Sequence, residues 1–172
     1  MKNKITTNNL EVVLPEDSFI SSKTNSKGII TYVNSLFIKI SGYKESELLG
    51  HQHNIIRHPD MPCVIFKLLW ETIGNNREFN GYVKNLTKDG SYYWVFVNVA
   101  PSFSSDNELI GYYSIRRKPD PEKLNYIQNL YADLLDIEQQ SSTNEAIDNS
   151  LYKLNTVLNG REKGYDEFIL TI

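Results

Sequence analysis

The sequence has little cysteine and no long apolar run. Cys63 is the single cysteine among 172 residues, which excludes a disulfide framework or a multi-thiolate zinc site and is typical of a reducing compartment. The densest apolar segment, Tyr92–Val97, is far too short to cross a bilayer, and the first residues lack the apolar stretch of a signal peptide. We therefore expect a soluble, cytoplasmic protein that reaches a membrane only through a partner.

Excess basic charge and the common catalytic motifs are also absent. Lys and Arg number 18 against 21 Asp and Glu, so the net charge of -3 does not favour nucleic-acid binding. Three histidines fall within residues 51–58, but their spacing on a loop fits no tetrahedral metal site, and we predict none. Because the sequence has no P-loop, no nucleophile elbow and no GxGxxG, we expect neither an enzyme nor a Rossmann-type phosphate site.

The spacing of apolar and turn residues predicts an α+β domain. A hairpin, a set of short helices and a three-stranded meander together give one five-stranded antiparallel sheet with short helices on one face. The predicted strands are Ser18–Thr24, Ile29–Val33, Glu78–Leu86, Ser91–Ala100 and Glu108–Arg117, and the predicted helices cover 34–42, Lys44–Leu49 and 62–74. A polar, histidine-rich loop, His51–Pro62, separates the second helix from the third.

The strand Tyr92–Ala100 is apolar on both faces. A half-solvated antiparallel strand would alternate, so terminal segments or another chain must cover the second face. A second copy of this chain is one of the candidates for that cover, so the predictions include a homodimer.

The C-terminal third predicts a helical extension. Asp120 followed by Pro121 is typical of a helix start, and Ser142 with Glu145 indicates a capping box for a second helix that ends at Gly160. A final strand over Asp166–Ile172 is left open. The predicted organisation is a leader (1–17), the sheet domain (18–118) and the helical extension (119–172).

One stretch carries a family resemblance. His53-Asn-Ile-Ile-Arg-His-Pro-Asp-Met-Pro62, with Leu69-Trp70, Val83-Lys-Asn85, Tyr93-Trp-Val95 and Gly111-Tyr-Tyr-Ser-Ile-Arg116, resembles the FAD-binding PAS domain of bacterial aerotaxis receptors over residues 18–118. The resemblance implies a PAS fold that holds FAD non-covalently between helices and sheet as a redox reporter. Such receptors continue into a membrane anchor and a methyl-accepting domain. Because this sequence shows neither, we expect a stand-alone PAS subunit. Its implied partner is a membrane-bound methyl-accepting (HAMP/signalling) transducer at the inner membrane.

Candidate cofactor contacts come from strand parity and from the resemblance. By parity, Phe79 and Asn85 share one sheet face, and Tyr93 and Tyr113 are expected on the same inner face. Asn85 offers donor and acceptor to a pyrimidine edge, whereas Phe79, which stands where relatives carry Trp, and Tyr93 are equally consistent with plain core.

The resemblance adds further candidates. It assigns Arg57 to the pyrophosphate and gives His58 and Asp60 a part in FAD binding; Asp60 orients Arg57 or caps the following helix. In the alternative interpretation, Asp60 is only a helix cap and His58 is only a polar loop residue, with no part in binding. His53 and Asn54 are weaker candidates for the flavin edge or the adenine end. Trp70 matches the family but is expected in the core.

Two functions from different classes follow. The first is an FAD redox sensor for energy taxis, and the second is a ligand-free PAS interaction module. Arg57, His58, Asp60 and Asn85 favour the sensor, because a scaffold does not need them. A haem or a photoadduct is not indicated, since residues 63–74 lack a histidine and no Asn-Cys-Arg-Phe motif occurs. Arg116-Arg-Lys118 is interpreted as a solvated strand end or a contact for an acidic partner.

Overall fold

A single antiparallel sheet organises the chain. The computed structural model describes residues 5–172, so the first four residues of the leader lie outside the described part. Five strands in the order β2-β1-β5-β4-β3 confirm the predicted α+β class. The strands are β1 (Ile20–Asn25), β2 (Ile30–Val33), β3 (Phe79–Leu86), β4 (Tyr92–Phe103) and β5 (Leu109–Arg117).

The helices begin and end largely where local signals place them. They are α1 (Ser35–Ser41), α2 (Glu45–Leu48), a 3-10 turn (His53–Ile56), α3 (Cys63–Gly74), α4 (Pro121–Gln140), α5 (Ala146–Asn159) and α6 (Tyr165–Thr171). Asn34 Oδ1 accepts the Phe37 amide proton at 3.0 Å to cap α1, and Gly42 ends it in the left-handed region at φ 73°.

One detail of the helical extension differs from expectation, and a second one answers a point that the sequence leaves open. Ser142 Oγ donates to the Glu145 carboxylate at 2.8 Å, but α5 begins only at Ala146, so the predicted capping box is wrong. The segment left open as a strand is the helix α6, whose Phe168 is fully buried.

Strand register fixes which side chains face the helices. Val97 of β4 lies opposite Gly81 of β3 and Arg116 of β5, so these three share the inner face, on which α1 to α3 pack. The core between the two layers includes the fully buried Phe37 and Ile65.

The second face of β4 is covered in part by the extension. Trp94 is buried, with its ring 6.2 Å from that of Tyr131 in α4, and Tyr131 Oη donates to the Tyr82 carbonyl at 2.9 Å. Cover by a terminal segment is thus confirmed for the β3–β4 half. In the other half, Tyr32 and Ile115 are exposed.

The described part of the leader runs beside β4. The Val12 amide donates to the Tyr92 carbonyl at 2.7 Å, and the Tyr92 amide donates back to the Leu10 carbonyl at 2.9 Å. Among residues 5–172, no helix is long and apolar enough to span a membrane.

Candidate functional site

A cavity of about 240 Å³ lies between the inner face of the sheet and α3. Its sheet wall includes Ser22, Asn85, Tyr112, Ser114 and Arg116, and its helix wall includes Phe66, Leu69 and Trp70. Residues 52–57 close one side. The walls therefore combine apolar surface with a few polar groups from three strands, as ligand pockets do.

Arg116 is a buried cation in the cavity wall. Its side chain is 4% exposed, and its Nη2 lies 2.6 Å from His53 Nε2 and donates to Ser22 Oγ at 3.0 Å. Within residues 5–172 its Nη1 has no hydrogen-bond partner and no carboxylate forms an ion pair with it. Burial lowers the pKa of Arg116 to about 10, so the guanidinium is still charged at neutral pH.

His53 is held neutral beside this cation. Removal from solvent and the adjacent Arg116 charge lower the pKa of His53 to about 3. A neutral ring leaves Nε2 free to accept from Arg116, which places the ring proton on Nδ1. The Phe37 ring, 5.8 Å away, packs against the imidazole. His53 therefore orients the guanidinium through a hydrogen bond and adds no second positive charge beside it.

Two further polar groups in the cavity wall lack partners. Asn85 is 4% exposed and lies near the buried Tyr93 hydroxyl, but its Nδ2 makes no well-aligned hydrogen bond to any described residue. Ser114 Oγ is likewise buried and unpartnered in the described range. Together with Arg116 Nη1, three donors in the wall of one cavity make no hydrogen bond to a described residue, and each buried unpaired group costs about 1–3 kcal/mol of stability.

Arg57, Asn54 and Trp70 lie at the edge of the cavity. The Arg57 guanidinium stacks 4.1 Å above the Phe66 ring, and its Nη2 approaches Cys63 Sγ at 3.2 Å. Asn54 is exposed. Trp70 is 45% exposed, so the expectation that it belongs to the core is wrong.

Gly28 gives Trp70 room at this edge. Gly28 adopts φ 76°, and a Cβ there would lie 2.9 Å from the Trp70 ring.

His58 and Asp60 do not line the cavity. The His58 ring is buried against Tyr92, its Nδ1 accepts the Asp60 amide proton at 3.1 Å, and burial with the nearby Lys84 lowers its pKa to about 4. Asp60 is exposed and pairs with Lys84 Nζ at 2.7 Å. The interpretation of Asp60 as a helix cap or as the partner that orients Arg57 is therefore wrong in this arrangement.

The cap of α3 comes from the helical extension instead. The Glu138 carboxylate of α4 accepts from the amides of Cys63 at 2.7 Å and Val64 at 2.9 Å. This contact joins α4 directly to the helix that forms one wall of the cavity.

The three predicted aromatic contacts are placed elsewhere. Phe79 and Tyr93 are on the inner face but fully buried outside the cavity, which agrees with the plain-core alternative. Tyr113 faces the opposite side, because it pairs with Ala100, and Lys23 Nζ lies 5.8 Å from its ring. The prediction that Tyr113 lies on the inner face is therefore wrong, because the inward-facing position of the strand is one residue away.

Sequence reasoning missed Ser22, Tyr112, Ser114 and Arg116. Tyr112, Ser114 and Arg116 of β5 face inward, so the interpretation of Arg116 as a solvated strand end is wrong, although it fits the exposed Arg117. Aromatic and basic residues occur at both parities of this strand, and alternation alone could not choose between them. Among the described residues, no cluster of three His, Cys, Asp or Glu could hold a metal ion.

Comparisons with known proteins agree with this architecture. The Aerotaxis receptor of Escherichia coli (strain K12) is 37% identical over 118 residues, which make up 69% of this chain and 23% of the receptor. The Nitrogen fixation regulatory protein of Klebsiella pneumoniae is 26% identical over 105 residues, or 61% of this chain and 21% of that protein. The chain thus spans less than a quarter of the length of these relatives.

Solved structures share the fold at low identity. A light-oxygen-voltage domain studied with a flavin analogue matches with a TM-score of 0.56 at 19% identity, covering 64% of this chain and 84% of that one. A PAS domain from Colwellia psychrerythraea matches with a TM-score of 0.54 at 21% identity, covering 59% and 86%. The family described as PAS fold matches residues 30–116, half of the chain, and the chain therefore belongs to the PAS-fold family.

Proposed function

We propose that the cavity binds the ring system of FAD and that the protein is a redox sensor. The observation that carries the proposal is the set of three unpartnered donors, Asn85 Nδ2, Ser114 Oγ and Arg116 Nη1, in one largely apolar cavity. The carbonyl and nitrogen edge of a flavin offers acceptors for such a set. The similarity to an aerotaxis receptor and the fold shared with a domain studied with a flavin analogue support the same ligand.

The size of the cavity limits what fits inside. About 240 Å³ lies below the ~300–1,000 Å³ of typical small-molecule sites, so the cavity admits part of FAD, beginning with its ring system, and not the whole dinucleotide. The rest of FAD would lie towards the exposed edge of the cavity, where Arg57 and Asn54 are available to the phosphates. His53, Asn85, Ser114 and Arg116 would hold the ring, and His58, Asp60 and Tyr113 would not touch it.

FAD supplies reversible electron uptake when bound. The protein contributes a fixed positive charge at Arg116, which favours added electron density nearby, while neutral His53 keeps that charge in place. Asn85 adds a donor whose bond strength depends on the charge it faces. These residues would transmit the redox state of the ligand to the sheet, and α3 would meet the same ligand through Phe66 and Leu69 on the facing wall of the cavity.

The relay is the second part of the proposal. A shift of α3 reaches α4 through the Glu138 cap, and the extension would carry it to a separate, membrane-bound methyl-accepting transducer. The protein would then act in energy taxis from the inner face of the membrane, held there by its partner. The support for this partner is the similarity to the aerotaxis receptor.

FAD affinity in matched variants tests the proposal. Asn85→Ala removes the unpartnered amide, whereas Asn98→Ala removes an amide of the opposite face, which bonds Asn80 and Glu78. We expect Asn85→Ala to weaken FAD binding about tenfold, because a hydrogen bond is worth about 1–2 kcal/mol, and Asn98→Ala to leave it unchanged. A wild-type protein that binds no FAD would favour the ligand-free interaction module.

A further inference from the structure

The cavity stops short along β3. Asn85 lines it, but Gly81 and Phe79, on the same face of the same strand, do not. Their partners on β4, Val97 and Val99, do line it. The register of β3 therefore places Gly81 and Phe79 on the side of the sheet that faces the cavity, but another part of the protein separates them from it.

Tyr165 of α6 closes this region. Its ring stacks on Phe79 with 5.7 Å between centroids and 18° between planes. A Cβ at Gly81 would lie 2.8 Å from the Phe79 ring and 3.1 Å from Tyr165 Oη, so both rings cover the glycine. Phe168, fully buried one turn later, holds α6 against the rest of the protein.

The closed arrangement contains a defect. Tyr165 Oη is buried beside the Tyr131 hydroxyl, which already donates to the Tyr82 carbonyl, and it forms no well-aligned hydrogen bond of its own among residues 5–172, which penalises the docked helix. With seven residues, α6 is also too short to be stable without docking. Docking of α6 is therefore a balance between the burial of Phe168 and the unpaired Tyr165 hydroxyl.

We propose that α6 is a displaceable lid, and that FAD extends the cavity over Gly81 and Phe79 by expelling Tyr165. The inference rests on the proposed function, since the ring system of FAD is the ligand that needs the space. Expulsion frees the last helix of the chain when the ligand binds, which makes α6 a second output besides the Glu138 cap. The lid and FAD compete, so the stability of the lid sets the apparent affinity.

Two substitutions of Tyr165 shift this balance in opposite directions. Tyr165→Phe removes the unpaired hydroxyl, stabilises the lid and is expected to weaken FAD binding about three- to tenfold, whereas Tyr165→Ala loosens the lid and is expected to tighten binding by a similar factor. Tyr152→Ala, on the exposed face of α5, is the control and should bind as wild type does. Affinity is measured by titration of the purified full chain with FAD, followed by flavin fluorescence.

Hydrogen exchange gives a readout that is independent of affinity. Amides of Tyr165–Thr171 in wild-type protein should exchange faster when FAD is bound. Equal FAD affinity in the two Tyr165 variants and wild type, or slower exchange of α6 on binding, would overturn the lid alone. Absence of FAD binding in wild type and in every variant would overturn the proposed function, and the lid with it.

Discussion

The Glu138 cap gives the sharpest test of how the extension is joined to the PAS domain. Its carboxylate accepts two amides at the first turn of α3, at 2.7 and 2.9 Å, across 75 and 74 residues of sequence. A lost N-cap costs about 1 kcal/mol, and a lost negative charge at a helix N-terminus adds about 0.3–1 kcal/mol. Glu138→Ala should therefore lower the free energy of unfolding by about 1–2 kcal/mol, and Tm by about 3–6 °C for a chain of this size.

A neighbour on the same helix supplies the control. Asp136 is exposed on α4 and bonds Gln140 at 2.8 Å, so Asp136→Ala should change the free energy of unfolding by less than about 0.5 kcal/mol. Glu138→Gln keeps an acceptor and should fall between the two. Urea denaturation followed by circular dichroism measures all three, and hydrogen exchange reports the Cys63 and Val64 amides directly. Equal stability of Glu138→Ala and Asp136→Ala would refute the cap.

Three further predictions follow from the placement of individual residues. His53 and His58 have pKa values lowered to about 3 and about 4, so both rings are neutral in the folded protein at neutral pH, and the stability this gives is complete above about pH 6.5 and is lost as the pH falls towards those values. The free energy of unfolding, measured by urea denaturation, should therefore be about 1–4 kcal/mol lower at pH 5 than at pH 7, and equal values would show that the two rings do not have these environments. Tyr112→Ala should weaken FAD binding, whereas Tyr113→Ala should not, and the reverse order in a titration would show that the register of β5 is misassigned. Asp60→Asn should retain FAD on gel filtration, because Asp60 contacts Lys84 outside the cavity, and a colourless variant would place it in the site.

Local signals account for much of what was predictable. The caps at Asn34 and Asp120 act within three residues, and the structure has both. The placement of Asn85 on the inner face requires only the parity of one strand, and the structure has it there, buried. The order of strands and helices followed from these short-range rules and from the turn residues between them.

Long-range contacts account for what was missed. The inward side of β5 depends on its register with β4, and a one-residue slip exchanges Tyr113 for Tyr112 and hides Arg116. The α3 cap comes from Glu138, more than 70 residues away, so the nearby Asp60 was the wrong candidate. Phe79 was expected at the ligand, but α6, which has no clear signature in sequence, stacks Tyr165 on it.

The absorption spectrum of the purified protein, in air and after anaerobic reduction with dithionite, tests the central claim most directly. The account predicts flavin bands that bleach on reduction and return in air, with FAD identified in the supernatant after heat release. A colourless protein that also takes up no added FAD would contradict the claim and leave the three buried donors of the cavity without the ligand proposed for them.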